Sequence, residues 1–192
     1  MTFAETDTDE QIAVAAKGGH REAFEILVRR HKAGIYRFVR RYVGHGDDAY
    51  DILQNCFVSA WIGLARYDPR RPFLPWLRVI ALNKCRDFAR RQRVRRLILK
   101  AFAAETKEDE TASPEDGLGS PDAEAERLSR LDKAISRLPA FYKEPLLLTT
   151  VSGLTHIEAA EELGTTPKAI EMRLYRARKK ILMDLGSDSG EG

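Results

Sequence analysis

The side chains in this sequence with the clearest chemical purpose recognise rather than break bonds. In Thr166–Lys179 (TPKAIEMRLYRARK), Ile170, Leu174 and Ala177 recur every three or four residues and continue to Ile181. That spacing gathers them on one face of a helix. The other faces carry Lys168, Glu171, Met172, Arg173, Tyr175, Arg176, Arg178 and Lys179. Arginine can donate two hydrogen bonds to a guanine edge, and a glutamate can accept from a cytosine amino group. Lysine and arginine further along can neutralise phosphates. A second cluster, Asp47, Asp48 and Asp51, is of a kind that holds a divalent metal in nucleic-acid-cleaving enzymes. It is equally a solvated helix start, where acids are favoured by the helix dipole. The sequence contains no HExxH and no GxxxxGK[ST] motif, so neither a zinc-protease site nor a phosphate-binding loop is expected. No metal or cofactor is expected.

The basic helix needs a platform, and the residues before it supply one. Thr155 and Glu158 have capping-box spacing, so a helix starts there. Ile157, Ala160 and Leu163 are expected to form its inward face. Gly164 suits the left-handed position that ends a helix. Thr166 can cap the next helix, with Pro167 in the first turn, where a missing amide costs nothing. Two short helices joined by a tight turn, the second with an exposed basic face, form a helix-turn-helix that enters a major groove.

The rest of the chain also reads as helix. Thr8 and Gln11 form a capping box for a short helix that Gly18 and Gly19 stop. Phe24, Leu27, His31, Ile35, Phe38 and Tyr42 form the stripe of a longer one. Gly44–Gly46 breaks it, and Asp47 or Asp48 is expected to cap the next helix, with Ile52, Cys56 and Ala60 inward. Pro69, Pro72 and Pro75 make Arg66–Pro75 a loop, and a long helix resumes from Trp76. Charge is segregated: Arg86–Lys100 is basic apart from Asp87, whereas Glu105–Glu126 is acidic apart from Lys107. The acidic stretch also contains Pro114, Gly117, Gly119 and Pro121. With Leu118 as its only large apolar residue, it reads as a flexible linker.

The expected architecture is therefore all-α, with two small helical domains at 8–100 and 126–185, a linker at 101–125 and a fraying tail. Two cysteines, Cys56 and Cys85, are too few for a disulfide framework and read as core thiols. No stretch approaches the roughly 20 apolar residues of a membrane span. The acidic start MTFAETDTDEQ lacks a signal-peptide pattern, so a cytoplasmic protein without membrane insertion is expected.

Three segments together resemble a known family. Residues 138–181 (LPAFYKEPLLLTTVSGLTHIEAAEELGTTPKAIEMRLYRARKKI) are similar to region four of sigma-70 family RNA polymerase sigma factors. DAYDILQNCFVSAW (48–61) is similar to the polymerase-binding segment of region two, and FLPWLRVIALNKCRDFARR (73–91) to its promoter-melting segment. The order and short length match the extracytoplasmic-function (ECF) subgroup, which keeps regions two and four.

The resemblance implies an initiation factor, not an enzyme, that binds core RNA polymerase and promoter DNA, both duplex and melted. It also implies control by an anti-sigma factor. Asp48, Asp51 and Gln54, with Asn55 where the family often has an acid, fall on the polymerase contact. Tyr67, Asp68, Arg70 and Arg71 fall on the loop that holds a base flipped from the minus-ten element, and flipping costs a few kcal/mol that such groups offset. Asn83, Asp87, Arg90 and Arg91 fall on positions facing the opened strands. Thr166, Lys168, Glu171, Met172, Arg173, Tyr175, Arg176, Arg178 and Lys179 fall on the minus-thirty-five contact. Lys168 replaces a frequent glycine there and Glu171 a frequent lysine.

Two rivals stand beside this reading. A helix-turn-helix regulator could act on duplex DNA without polymerase, although it would have no need of the aromatic, proline-rich loop. A nuclease would use Asp47, Asp48 and Asp51 to hold a metal.

Overall fold

The structure, a computed structural model, describes residues 7–103 and 123–187. Among these, eight α-helices follow in order: α1 (Asp9–Lys17), α2 (Arg21–Val43), α3 (Gly46–Gly63), α4 (Phe73–Ala103), α5 (Ala123–Arg137), α6 (Ala140–Thr150), α7 (His156–Glu162) and α8 (Pro167–Ser187). No described residue lies in a strand, and no described helix is long and apolar enough to cross a membrane.

The N-terminal group, α1–α4, is built around α2. Leu27, Ile35 and Phe38 have no exposure and Tyr42 has 4%, as the stripe requires. α1 opens on the expected capping box: the Gln11 amide donates to the Thr8 hydroxyl at 3.3 Å, and the Thr8 amide to Gln11 Oε1 at 3.0 Å. Ile12 and Ala13 of α1 are fully buried. Cys56 and Cys85 are also fully buried in the core, and burial pushes both thiols upward, Cys56 to about 12.

Several boundaries differ from expectation. Neither Asp47 nor Asp48 caps α3. The extended residue before it is His45, which makes no side-chain cap, and both aspartates lie inside the first turn, where the dipole favours them. α4 starts at Phe73 rather than after Pro75. Pro75 falls in the first turn, where no amide partner is needed. The linker expected over 101–125 is helical at both ends, as the close of α4 and the start of α5; its remainder, 104–122, lies outside the described residues. Ser187 of the tail belongs to α8, and the residues after it are likewise outside.

The C-terminal group, α5–α8, closes a smaller core. Leu147 and Leu148 of α6 meet Ile170 and Ala177 of α8, all four with no exposure. In α7 the inward residues are Ala159 and Ala160, with Leu163 packed beside them. Ile157, expected inward, is 62% exposed. Gly164 takes the left-handed conformation (φ +59°) that turns the chain toward α8.

The two groups touch where α2 meets α5 and α6. Several polar contacts cross this boundary. Glu144 accepts from Arg86 through both oxygens (2.9 and 2.6 Å) and from the Tyr42 hydroxyl at 3.2 Å. Lys143 donates to the Tyr42 carbonyl at 2.9 Å, and its ammonium stands 4.9 Å from the Tyr42 ring centre. Arg78 donates to the Ser152 and Val151 carbonyls, and Arg41 pairs with Asp132 at 2.8 Å.

Candidate nucleic-acid and polymerase interfaces

On α3 the structure separates the expected polymerase set. Asp51, Gln54 and Asn55 are exposed along one ridge, with the Asn55 amide donating to the Asp51 carbonyl at 2.8 Å. Asp48 is half-buried and lines the groove between the groups, beside Arg40, Lys133 and Arg137. Val58 and Ile62 continue the ridge at 57% and 71% exposure, and sequence reasoning did not single them out. Their signal was legible: they stand three and seven residues beyond Asn55, on the polar side of the helix.

The 67–73 loop is built from the inside. Tyr67 is 2% exposed, and its ring packs edge-on against Phe73 at 5.7 Å and at a tilt against Trp76 at 5.0 Å. Its hydroxyl donates to the Arg71 carbonyl, and burial pushes its ionisation up to about 12. Tyr67 is therefore a peg beneath the loop, and it presents no ring for a base to stack on. The groups on the surface are Asp68, Arg70 and Arg71. Arg70 holds Asp68 through two guanidinium hydrogen bonds of 3.0 Å and keeps that carboxyl below its usual range.

Along α4, Asn83, Arg90 and Arg91 are exposed and Asp87 is half-buried. Asp87 pairs with Arg90 one turn on. Lys84, Asp87, Arg90 and Arg91 line a groove with Asn55 of α3, so the expected polymerase and single-strand sets meet at its rim. Arg78 and Arg86 lie on the same helix but serve the boundary instead.

On α8, Lys168, Met172, Tyr175, Arg176 and Lys179 share an exposed face. Arg178 is exposed at its edge. Lys168 pairs with Glu171 at 2.8 Å, which keeps the Glu171 carboxyl below its usual range. Two expected contacts are engaged elsewhere. The Thr166 hydroxyl accepts from the Ala169 amide at 3.2 Å as the helix cap. Arg173 lies 4.0 Å above the Phe141 ring and donates to Thr165 Oγ1 at 3.3 Å, so it is folded onto its own group rather than presented outward.

Lys143 and Glu144 were also missed, although a signal existed. They stand one turn before Leu147 and Leu148, on the stripe those leucines bury, so they enter the interior as a charged pair. Burial pushes the Lys143 ammonium down to about 8.

Comparison with known proteins identifies the family. The family description "Sigma-70 region 2" matches residues 27–95, and "Sigma-70, region 4" matches residues 128–181. The RNA polymerase sigma factor CnrH of Cupriavidus metallidurans is 36% identical, over 95% of this chain and 97% of its own. The sigma factor NccH of Alcaligenes xylosoxydans is 34% identical, over 93% of this chain and 95% of its own. The ECF sigma factor SigM of Mycobacterium tuberculosis is 28% identical, over 93% and 85%. A solved structure of CnrH in complex with the cytosolic domain of CnrY superposes with a TM-score of 0.67 at 31% identity, covering 95% of this chain and 99% of that one. The chain belongs to the sigma-70 family of RNA polymerase sigma factors, within its extracytoplasmic-function group.

Proposed function

We propose that this chain works in the cytoplasm as a promoter-specificity subunit, docking on core RNA polymerase through the α3 ridge of Asp51, Gln54 and Asn55. The loop tip Asp68–Pro72 and the α4 face of Asn83, Arg90 and Arg91 receive the minus-ten element as it opens. The α8 face of Lys168, Met172, Tyr175, Arg176 and Lys179 reads the minus-thirty-five element. The polymerase performs the chemistry; the chain supplies recognition and needs no cofactor for it. The domains are 8–100 and 126–185.

One observation carries this reading: the α3 ridge, the loop tip and the α8 face are all open to solvent while the two groups stay joined by polar contacts. The pose with the groups together cannot serve both promoter elements at once. At ~3.4 Å per base pair, elements about 25 base pairs apart lie roughly 85 Å from each other. Residues 104–122 can span at most roughly 65 Å when fully extended, so the linker would cover most of that distance and the breadth of the two groups the rest. A protein partner of the anti-sigma kind would act by holding the two groups away from those positions. The similarity to CnrH, solved with the cytosolic domain of CnrY, supports such a partner.

In vitro transcription with core polymerase and promoters from the same genome tests the proposal. Transcripts that depend on this chain are expected. If the chain retards duplex DNA but starts no transcript on any of them, it is a duplex-binding regulator and the reading is wrong.

A further inference from the structure

The 67–73 loop is held at both ends by a helix that lies outside the matched region-two segment, which begins at residue 27. At one end the Lys17 ammonium donates to the Tyr67 carbonyl at 3.1 Å. At the other the Phe73 amide donates to Glu10 Oε1 at 3.0 Å. Glu10 and Lys17 are seven residues apart on α1, two turns along one face and so roughly 10 Å from each other. A helix is stiff over that length, and α1 therefore sets the spacing of the loop's two ends.

α1 is itself anchored. Its inner face, Ile12, Ala13 and Ala16, is buried. Asp9 accepts from Arg30 at 3.0 Å and lies 2.6 Å from His31 Nε2 on α2. The Asp7 carbonyl takes a further hydrogen bond from Arg30 at 2.8 Å. Between the fixed ends, the buried Tyr67 and Phe73 rings peg the loop from below, the Tyr67 hydroxyl holds the Arg71 carbonyl, and the tip Asp68–Pro72 is left at the surface. A flipped base is discriminated by groups held to within fractions of an ångström, and such precision requires a rigid support beneath them.

We propose that Glu10 and Lys17 are positioning residues for minus-ten discrimination: α1 is a two-point clamp that fixes the shape of the loop tip without touching DNA. The proposal rests on the reading of Asp68–Pro72 as the minus-ten loop. Removing either clamp point frees one end of the loop. Base preference should then flatten while core binding, carried by α3, stays unchanged.

The test uses the full chain in holoenzyme with core polymerase, on a promoter library with the six minus-ten positions randomised. Transcripts are sequenced to give enrichment at each position. The variants are Glu10→Ala and Lys17→Met, beside the conservative Glu10→Gln, which keeps an acceptor oxygen, and Lys17→Arg, which keeps a donor. Wild type is expected to select a defined element. Glu10→Ala and Lys17→Met should reduce enrichment by about tenfold at one or more positions, the scale of one mismatched base, with unchanged core affinity and thermal midpoint. The conservative variants should select as wild type does.

Wild-type selectivity in both Glu10→Ala and Lys17→Met overturns the clamp while leaving the sigma reading intact. Equal loss in the conservative variants also overturns it, as does loss that merely follows a fall in core affinity. If wild type itself selects nothing, the loop assignment and the clamp fall together. Should Glu10→Ala not fold, the exposed Lys17 decides alone.

Discussion

Phe38 and Leu147 are each sealed from water inside one helical group, whereas the boundary between the groups is crossed by Arg41, Arg78, Arg86, Lys143 and Glu144. Apolar burial is non-directional and strong, so each group holds its shape through the whole of its core. The groups that make the boundary's hydrogen bonds can be met by water when it opens, so each bond contributes only about 1.5–3 kcal/mol net. Each group is thus held by its own apolar interior and the boundary by fewer, directional contacts, a division that suits the proposed reading of two distant DNA elements.

The comparison breaks most visibly inside a core. Phe38→Ala leaves a cavity in the core that α2 shares with its neighbours in the N-terminal group. It should destabilise the N-terminal group by about 3–5 kcal/mol in chemical denaturation followed by circular dichroism. A loss under about 1 kcal/mol would mean that the core is not what holds that group.

Glu144→Ala acts on the boundary instead. It removes three hydrogen bonds, one pair of them to a guanidinium that is 39% open to water. Closure should weaken by about 1–3 kcal/mol, read as a longer distance between spectroscopic labels on α3 and α8, while each group keeps its own unfolding midpoint. An unchanged distance would show that apolar contacts hold the boundary after all.

Lys143 gives the boundary a pH dependence whose sign follows from its depressed ionisation. In the closed form its ammonium releases its proton near pH 8; once the groups separate, water restores the value toward 10.5. Between those values the open form binds more protons, so closure should strengthen as pH rises from about 8 to 10.5, by at most about 1.4 kcal/mol per unit. Below pH 8 both forms are charged and this residue adds no slope. Arg86 is held more firmly charged and does not titrate in that window. The Tyr42 hydroxyl, pushed upward in the closed form, returns toward 10.0 once the groups separate, and its proton release there offsets the gain at the top of the window. Lys143→Met should abolish the gain in the same label-distance measurement. The smallest effect belongs to Asp132→Asn: its pair with Arg41 has both side chains about one-third exposed, and its loss should cost closure under about 1 kcal/mol, vanishing in high salt.

The first four helices, the α2 stripe, the capping boxes at Thr8 and Thr155 and the turn at Gly164 were legible in the sequence, because each depends on residues near one another in the chain, whereas the break between α5 and α6 was not read. What was not legible depends on distant partners. Lys143 and Glu144 meet Tyr42 about a hundred positions away, and no local pattern reports that meeting. Tyr67 and Arg173 have side chains suited to DNA, but their neighbours in space, Phe73 and Trp76 for one and Phe141 for the other, draw them inward. Pro75 was read as a breaker because a proline's effect depends on its place in the helix, and the true start at Phe73 lies three residues before the expected one at Trp76.

Gly44 closes α2 in the left-handed conformation (φ +89°), and a Cβ built there would stand 3.1 Å from the Ser136 side chain of α5. One position thus answers to two masters. Its backbone demand exists whether the groups are together or apart, but its spatial demand exists only when they are together. A methyl at this site would act as a doorstop, tolerated by the free N-terminal group at the modest strain of a left-handed residue and resisted by the closed pose. This part of the boundary is therefore tuned by the absence of a side chain.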